Sequence, residues 1–290
     1  MGATQAEFIF GWAGNNVLDA STAASGVTLF GEAGADQLIG SAFNDVFYVD
    51  SLDTLIDANA GNDVLVVYVA TGQSAANTTI DVGAAEVEYV LGGAGNDTLN
   101  AATAATGVTL DGMGGADQLT GSAFDDVIYV DNLDTLVDAS AGNDVLAVSA
   151  GTTANTTIDV AAAEAEWVRG GVGDDTLTNA GRNASVTLLG ADGNDTLTGG
   201  LANDYLYGDA EGDTFVVTAN AQFDAILDFE NNSDLIDVQA LNLDNAQVQA
   251  IINAGFENGS GDCILNFGAS NQLFLYQVAK AQLDTGDFVV

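Results

Sequence analysis

The chain has 290 residues, enough for one elongated domain or two compact ones. Acidic residues number 42 against 3 basic ones, and the net charge of −39 excludes nucleic acid and an anionic membrane surface as partners. With 48% hydrophobic residues the chain is no disordered polyanion, and 35 Gly with no Pro suit β-structure built on tight turns.

Other classes fall away on single residue types. The one cysteine, Cys263 in D-C-I-L-N-F, permits no internal disulfide and reads as a small strand residue. There is no histidine, which removes Ser-His-Asp and Cys-His chemistry and His-containing zinc sites. Arg169, Arg182 and Lys280 are too few cations for a phosphate or anionic-sugar pocket. No run reaches the ~18 apolar residues of a membrane helix, so no membrane insertion is expected. The N-terminus has no basic region before an apolar run, which argues against a Sec signal. Met1-Gly2 lacks the Ser or Thr that myristoylation needs.

In chain order, the first two-thirds repeat. G-V-T-L-F-G-E-A-G-A-D-Q-L from Gly26 returns as G-V-T-L-D-G-M-G-G-A-D-Q-L from Gly107, and a third copy begins near Trp167 with three residues lost near Ser149. Each unit opens with a nonapeptide: G-W-A-G-N-N-V-L-D at Gly11, G-G-A-G-N-D-T-L-N at Gly92 and G-G-V-G-D-D-T-L-T at Gly170. An 11-residue half-coil follows, then two consecutive nonapeptides, at Gly31 and Gly40, at Gly112 and Gly121, and at Gly190 and Gly199. The half-coil V-D-S-L-D-T-L-I-D at Val49 lacks glycine and reads as a non-binding face. Degenerate nonapeptides open at Ala58 and Ala139, and a last full one, G-D-A-E-G-D-T-F-V, opens at Gly208. The excursions that follow, N-T-T-I-D-V and A-E-V-E-Y-V-L among them, read as strands by alternation and β-branching.

The nonapeptide dictates its own geometry. Its last residues form a short strand whose eighth residue points inward, as Leu197, Leu206 and Phe215 do in the stretch 190–216. Its first six form a turn, where glycine lets backbone carbonyls approach closely. Asp at position 6 adds a hard carboxylate oxygen, and carbonyls plus carboxylates suit Ca²⁺. Two strands and two turns make a coil of 18 residues, and coils stack about 4.8 Å apart. Two bare carboxylates at that spacing repel by roughly 3 to 4 kcal/mol at an effective dielectric near 20. A divalent cation between them turns repulsion into cohesion.

The expected metal residues are Asp36, Asp45, Asp63, Asp97, Asp117, Asp126, Asp144, Asp175, Asp195, Asp204 and Asp213, with Gly92, Gly112, Gly170, Gly190, Gly199 and Gly208 opening their turns. Stacking should pair Asp97 with Asp117, Asp175 with Asp195 and Asp213, Asp45 with Asp63, and Asp126 with Asp144. Asn16 replaces Asp in the first nonapeptide, so a site shared with Asp36 should be weaker or empty. Trp12 and Trp167 are expected to pack at coil edges, and Tyr48, Tyr129 and Tyr207 to form a core or neighbour-facing strip.

Beyond Val217 the pattern changes to F-D-A-I-L-D-F-E-N-N-S-D-L-I-D-V, whose Asp224, Asp228, Asp234 and Asp237 either hold a terminal calcium or form a solvated edge. A helix-prone piece at Asn245 and a hairpin at D-C-I-L-N-F-G-A-S-N-Q-L-F-L-Y-Q-V lead to the ending A-Q-L-D-T-G-D-F-V-V.

The repeated G-G-x-G-x-D-x-U-x frame resembles the RTX (repeats-in-toxin) calcium-binding repeat, from about Gly11 to Val290. The resemblance implies an all-β parallel β-roll or β-helix solenoid binding multiple Ca²⁺, with units 1–91, 92–169 and 170–222 and a C-terminal β cap 223–290. The acidic-then-apolar C-terminus resembles a type I secretion signal. The family implies export unfolded and folding outside the cell, in line with metal-coupled folding of a self-repelling chain. RTX blocks are usually tails on an enzyme, toxin or adhesin; with no histidine and no room for a catalytic domain, no enzyme is expected. The leading expectation is a secreted structural protein, a self-assembling subunit of a surface layer, filament or matrix. Its partner is another copy of the chain, with a surface polysaccharide as a second candidate. An adhesin-type binding module and the tail of a larger secreted enzyme are the alternatives; Met1 at the start of the chain counts against the tail. Ice binding is not expected, because turn position 2 carries no Thr or Asn ladder.

Overall fold

A computed structural model describes residues 8–68, 76–149, 152–268 and 271–290. Met1 and Gly2 lie outside them. The chain divides into two units, Met1–Asp144 and Val145–Val290.

In the first unit, short parallel strands stack coil on coil. Phe8–Phe10, Thr28–Phe30, Val46–Val49, Val64–Val67, Tyr89–Leu91, Thr109–Asp111 and Val127–Val130 each pair with the next. The opposite wall holds Val17–Asp19, Gln37–Ile39 and Leu55–Asp57, then Thr79–Asp81, Thr98–Asn100, Gln118–Thr120 and Leu136–Asp138. Most of these strands have three residues, and alternation turns only the middle one inward. Leu29, Phe47, Leu65, Val90, Leu110 and Ile128 thus form one fully buried column, and Leu38, Leu99 and Leu119 face it from the other wall. The core is one large side chain deep on each wall, so the ladder and the turns carry much of the cohesion between coils.

The coil period is not constant. Thr28 lies beside Val46, eighteen residues on, whereas Phe8 lies beside Thr28 across an 11-residue half-coil. Val64 lies beside Tyr89, twenty-five residues on, and in the second unit Val145 lies beside Trp167, twenty-two on. The difference of three matches the residues lost near Ser149.

These excursions correct one expectation. Thr79–Asp81 and Thr157–Asp159 are strands, but the next residues form one helical turn, Val82–Ala85 and Val160–Ala163. Asp81 and Asp159 cap them by accepting the Ala84 and Ala162 N–H groups, and left-handed Glu86 and Glu164 end them. A β-branched run ending in Asp-Val-(Ala/Gly)-Ala supplies a cap and helix formers, and local capping overrides alternation.

The second unit continues the scheme with Val145–Val148, Trp167–Arg169, Thr187–Asp192, Tyr205–Ala210 and Gln222–Ile226 facing Thr157–Asp159, Thr176–Thr178, Thr196–Thr198, Thr214–Val216 and Leu235–Asp237. Its last coil is covered. Asn271–Leu275 adds to one wall in parallel and turns into an antiparallel hairpin with Cys263–Gly268, while Phe288–Val289 adds to the other wall. The helix Asn245–Ala254 starts at an Asp244–Gln247 capping box and buries Val248 and Ile252. Cys263 is buried, and burial pushes its thiol pKa up. The fold is therefore an all-β parallel solenoid with a C-terminal β cap.

Candidate metal centres

Every aspartate at position 6 is buried: Asp36, Asp45, Asp63, Asp97, Asp117, Asp126, Asp144, Asp175, Asp195, Asp204 and Asp213. Each reaches back one coil and accepts a backbone N–H through Oδ1. Asp45 bonds to Asp63, Asp97 to Asp117, Asp126 to Asp144, Asp175 to Asp195, and Asp195 to Asp213, each by the first residue's N–H at 2.6–2.8 Å. The carboxylates thus stand in columns, one per coil, with their charges stacked.

The second oxygen, Oδ2, sorts nine of the eleven turns into two kinds; those of Asp144 and Asp213 share a left-handed residue 2, Ser140 (φ 70°) and Asp209 (68°), and belong to neither. In one kind, residue 2 of the nonapeptide has a left-handed backbone: Glu32 (φ 67°), Asn59 (64°), Gly93 (104°), Met113 (67°) and Ala191 (86°). Oδ2 of Asp36, Asp63, Asp97, Asp117 and Asp195 is then buried without any hydrogen-bond partner. The residue-2 N–H is turned elsewhere; Met113 donates to Asp111 Oδ1 at 2.9 Å. In the other kind, residue 2 is not left-handed and its N–H closes on Oδ2. Ser41 donates to Asp45, Ser122 to Asp126, Gly171 to Asp175 and Gly200 to Asp204, at 2.5–2.6 Å. Ser41 and Ser122 add hydroxyl bonds to the same carboxylates.

Glycine at position 1 makes room for Oδ2. A Cβ on Gly40, Gly121, Gly170 or Gly199 would stand 2.6–2.8 Å from the Oδ2 of its own aspartate, and one on Gly92 3.1 Å. Gly112, Gly190 and Gly208 are tighter still.

Burial raises the acid pKa values. Asp63, Asp117 and Asp213 are pushed up to about 6 and Asp195 to about 7, by desolvation first and by neighbouring carboxylates of the column second, against the lowering by backbone N–H bonds. Asp97 and Asp204 are raised, again mainly by desolvation. Partnerless buried carboxylate oxygens, glycine-lined and amid backbone carbonyls, are a donor set that fits a hard cation. Among the described residues no three acidic or cysteine side chains converge, so carbonyl oxygens must supply the balance of any coordination shell.

The columns also hold residues that the sequence did not assign. Asp53 accepts the Asp36 N–H at 3.0 Å and the Asp50 N–H at 2.9 Å, and its Oδ2 and that of Asp36 would both meet a Cβ on Gly31 at 3.1 Å. The half-coil at Val49, expected as a non-binding face, therefore adds a carboxylate to the column, and Asp134 repeats the arrangement beneath Asp117. Desolvation pushes Asp53 and Asp134 up to about 6. Glu88 accepts the Asp63 N–H at 2.8 Å across the long excursion. In the cap, Asp224 and Asp234 continue the columns of Asp204 and Asp213, and burial pushes Asp224 up to about 8. They are buried, not a solvated edge, while Asp228 accepts the Gly208 and Asp209 N–H groups and Asp237 ends a strand. The signal for Asp53 and Asp134 was spacing: each lies seventeen residues beyond its column neighbour, one short of the coil period. Asn16 does meet Asp36, but its amide donates to the Gly14 carbonyl at 2.5 Å. Of the two tryptophans, Trp12 packs against the Phe10 ring, centroids 5.9 Å apart, yet both stay largely exposed. Trp12 is 71% exposed and Trp167 52%, because both side chains leave the solenoid wall outward.

Arg182 uses one of the few cations to tie coils together, through Glu166 at 2.7 Å and the Ala165 carbonyl at 2.6 Å.

A parallel solenoid with cation-ready carboxylate columns in glycine turns defines a class, the calcium-binding β-roll. The family model of the RTX calcium-binding nonapeptide repeat matches four copies, at residues 27–48, 82–103, 109–132 and 187–215. The chain carries RTX repeats, which are structural modules that bind multiple Ca²⁺ ions. This fits a secreted calcium-binding protein. Among solved structures, the extracellular lipase LipA from Serratia marcescens aligns over 85% of this chain and 45% of its own, with 17% identity and a TM-score of 0.27. The chain thus spans less than half of that lipase. No curated protein matches the chain. No helix among the described residues is long and apolar enough to cross a membrane.

Proposed function

We propose that this chain is a secreted, calcium-loaded structural protein that folds on meeting calcium outside the cell and assembles with copies of itself into a layer, filament or matrix. Calcium fills the left-handed turns first, on Asp36, Asp63, Asp97, Asp117 and Asp195, because the position-6 carboxylate of each keeps a buried oxygen without a hydrogen-bond partner. The turns of Asp45, Asp126, Asp175 and Asp204 fill later, since calcium must displace the residue-2 N–H. The observation that carries assembly is the first coil of the solenoid. Phe8–Phe10 pairs with Thr28–Phe30 on one side, and among the described residues no strand pairs with its other edge. Beside that edge runs an outward aromatic stack, Phe10 on Phe30 and Phe30 on Tyr48, with ring centroids 4.6 Å apart in both pairs. An open parallel edge with exposed aromatics invites strand addition from a second copy.

The sequence units 1–91, 92–169 and 170–222 with the cap 223–290 are the proposed building blocks. The chain is proposed as a non-enzyme exported by a type I system. Electron microscopy and sedimentation of the calcium-loaded protein test the reading. Ordered arrays or fibres that Phe10→Asp abolishes are expected. Monomers that persist at high concentration with calcium bound overturn the assembly role.

A further inference from the structure

Beside the turn of Asp204, the second unit holds a cleft of about 680 Å³ whose chemistry differs from the rest of the chain. Five amide side chains line it, Asn183, Asn203, Asn220, Gln222 and Gln272, with the Phe223 ring and Leu201. None of the described lining residues is charged, on a chain with 42 acidic residues. The calcium repeat does not require most of them. Asn183 lies in a half-coil, and Asn220, Gln222, Phe223 and Gln272 lie outside every nonapeptide.

The amides are positioned and left available. Asn203 Oδ1 accepts the Phe223 N–H at 3.2 Å, which leaves its NH₂ group to face a ligand. Gln222 donates its Nε2 to the Leu201 carbonyl and keeps its own oxygen as acceptor. Asn183, Asn220 and Gln272 make no side-chain hydrogen bond among the described residues, so each offers both donor and acceptor. The loop beneath them is held in a strained form. Asn220 and Gln222 both sit in the left-handed region, at φ 67° and 57°, and the Ala221 N–H between them is fixed by Asn271 Oδ1 at 2.8 Å. Non-glycine residues held so are a mark of sites whose shape is set in advance. Phe223 leans on Phe274 with ring centroids 6.1 Å apart, and Tyr205 and Phe274 flank Ala225 on the same wall, giving an aromatic floor beside the amides.

We propose that this cleft binds a neutral saccharide. A pyranose presents apolar C–H faces to an aromatic ring and a rim of hydroxyls that each donate and accept. Planar amides match vicinal hydroxyls in pairs, and the volume lies in the range of small-ligand sites. An anionic sugar is disfavoured by the surrounding negative field and by the absence of any cation among the described lining residues. This goes beyond the assembly role and does not depend on it, since a calcium-loaded monomer presents the same cleft.

The test is calorimetric titration of the calcium-loaded full chain with neutral oligosaccharides of glucose, galactose, mannose and N-acetylglucosamine, and with oligogalacturonate as the acidic control. At least one neutral series is expected to bind with a Kd of about 1 mM or tighter, and the acidic one not. Phe223→Ala and Gln272→Ala should each weaken binding about tenfold or more while calcium stoichiometry and β circular dichroism stay unchanged. Should Phe223→Ala not fold, Asn183→Ala and Gln272→Ala carry the same expectation. No neutral binding up to about 10 mM, tighter binding of the acidic sugar, or affinity untouched by the substitutions overturns the proposal.

Discussion

The turn from Gly190 to Asp195 and the turn from Gly40 to Asp45 contain the same parts and end in different states. Both bury the aspartate, and both send Oδ1 one coil back to a backbone N–H. They part at one dihedral. Ala191 lies at φ 86° and turns its N–H away, and Asp195 Oδ2 stays without a partner. Ser41 is not left-handed, and its N–H and hydroxyl close on Asp45. One turn stores an unmet demand for a cation and the other meets that demand from within. A buried oxygen without a partner costs the apo fold about 1 to 3 kcal/mol, more when charged. On the proposed reading, the left-handed turns couple folding to calcium, while the closed turns hold the coils in register.

The comparison can be broken most severely by removing calcium altogether. Chelation at neutral pH should abolish the β circular-dichroism signal, because columns of ionised carboxylates lose their counterions; a fully folded chelated protein refutes the coupling. Next in size is a pair of substitutions at the two turns. Asp195→Asn should lower the number of ions bound and raise the calcium needed for half-folding, a loss of about 2.7 kcal/mol where calcium stands at a hundredfold its Kd. Asp45→Asn should cost about 1.5 to 3 kcal/mol in denaturant midpoint at saturating calcium, with little change in half-folding calcium relative to that loss. Equal effects of the two on calcium binding erase the distinction.

Acidity sharpens it. Folded Asp195 keeps its proton up to about pH 7 and Asp63, Asp117 and Asp213 up to about 6, whereas an unfolded aspartate releases it near 3.8. The folded apo state binds more protons in that window, so its stability falls as pH rises from about 4 to 7. The chelated protein should regain β signal as pH is lowered toward 4. A chelated protein that loses structure on acidification has the opposite linkage. The smallest expected effect is at the dihedral itself. Ala191→Gly relieves a left-handed alanine and should gain up to about 1 kcal/mol, whereas Ser41→Gly gains nothing and loses the hydroxyl bond. Both are read from denaturant midpoints in saturating calcium.

Much of the fold was legible because its period is short and local. Gly-x-x-x-x-Asp followed by an alternating apolar residue fixes a turn and a strand within nine residues, and repetition fixes the parallel stack. Asp97 under Asp117 and Asp175 under Asp195 follow from counting. What was not legible depended on coil-to-coil geometry or on competing local chemistry. Asp53 and Asp134 join the columns without a glycine to announce them, through a half-coil one residue short. Val82–Ala85 becomes a helical turn because Asp81 caps it, although its flanks alternate like a strand. The sign of φ at residue 2 cannot be read from residue type. Gly93 is left-handed, whereas Gly171 and Gly200 are not. Trp12 was expected to pack at a coil edge; it leans on the Phe10 ring and leaves most of its surface in solvent.

The most direct measurement is a crystal structure grown at limiting calcium, with the ions located by anomalous scattering. Ions beside Asp36, Asp63, Asp97, Asp117 and Asp195, with the turns of Asp45 and Asp126 still closed by Ser41 and Ser122, is the predicted result. Ions that fill the serine-closed turns first, or left-handed turns that stay empty at saturating calcium, would contradict the account.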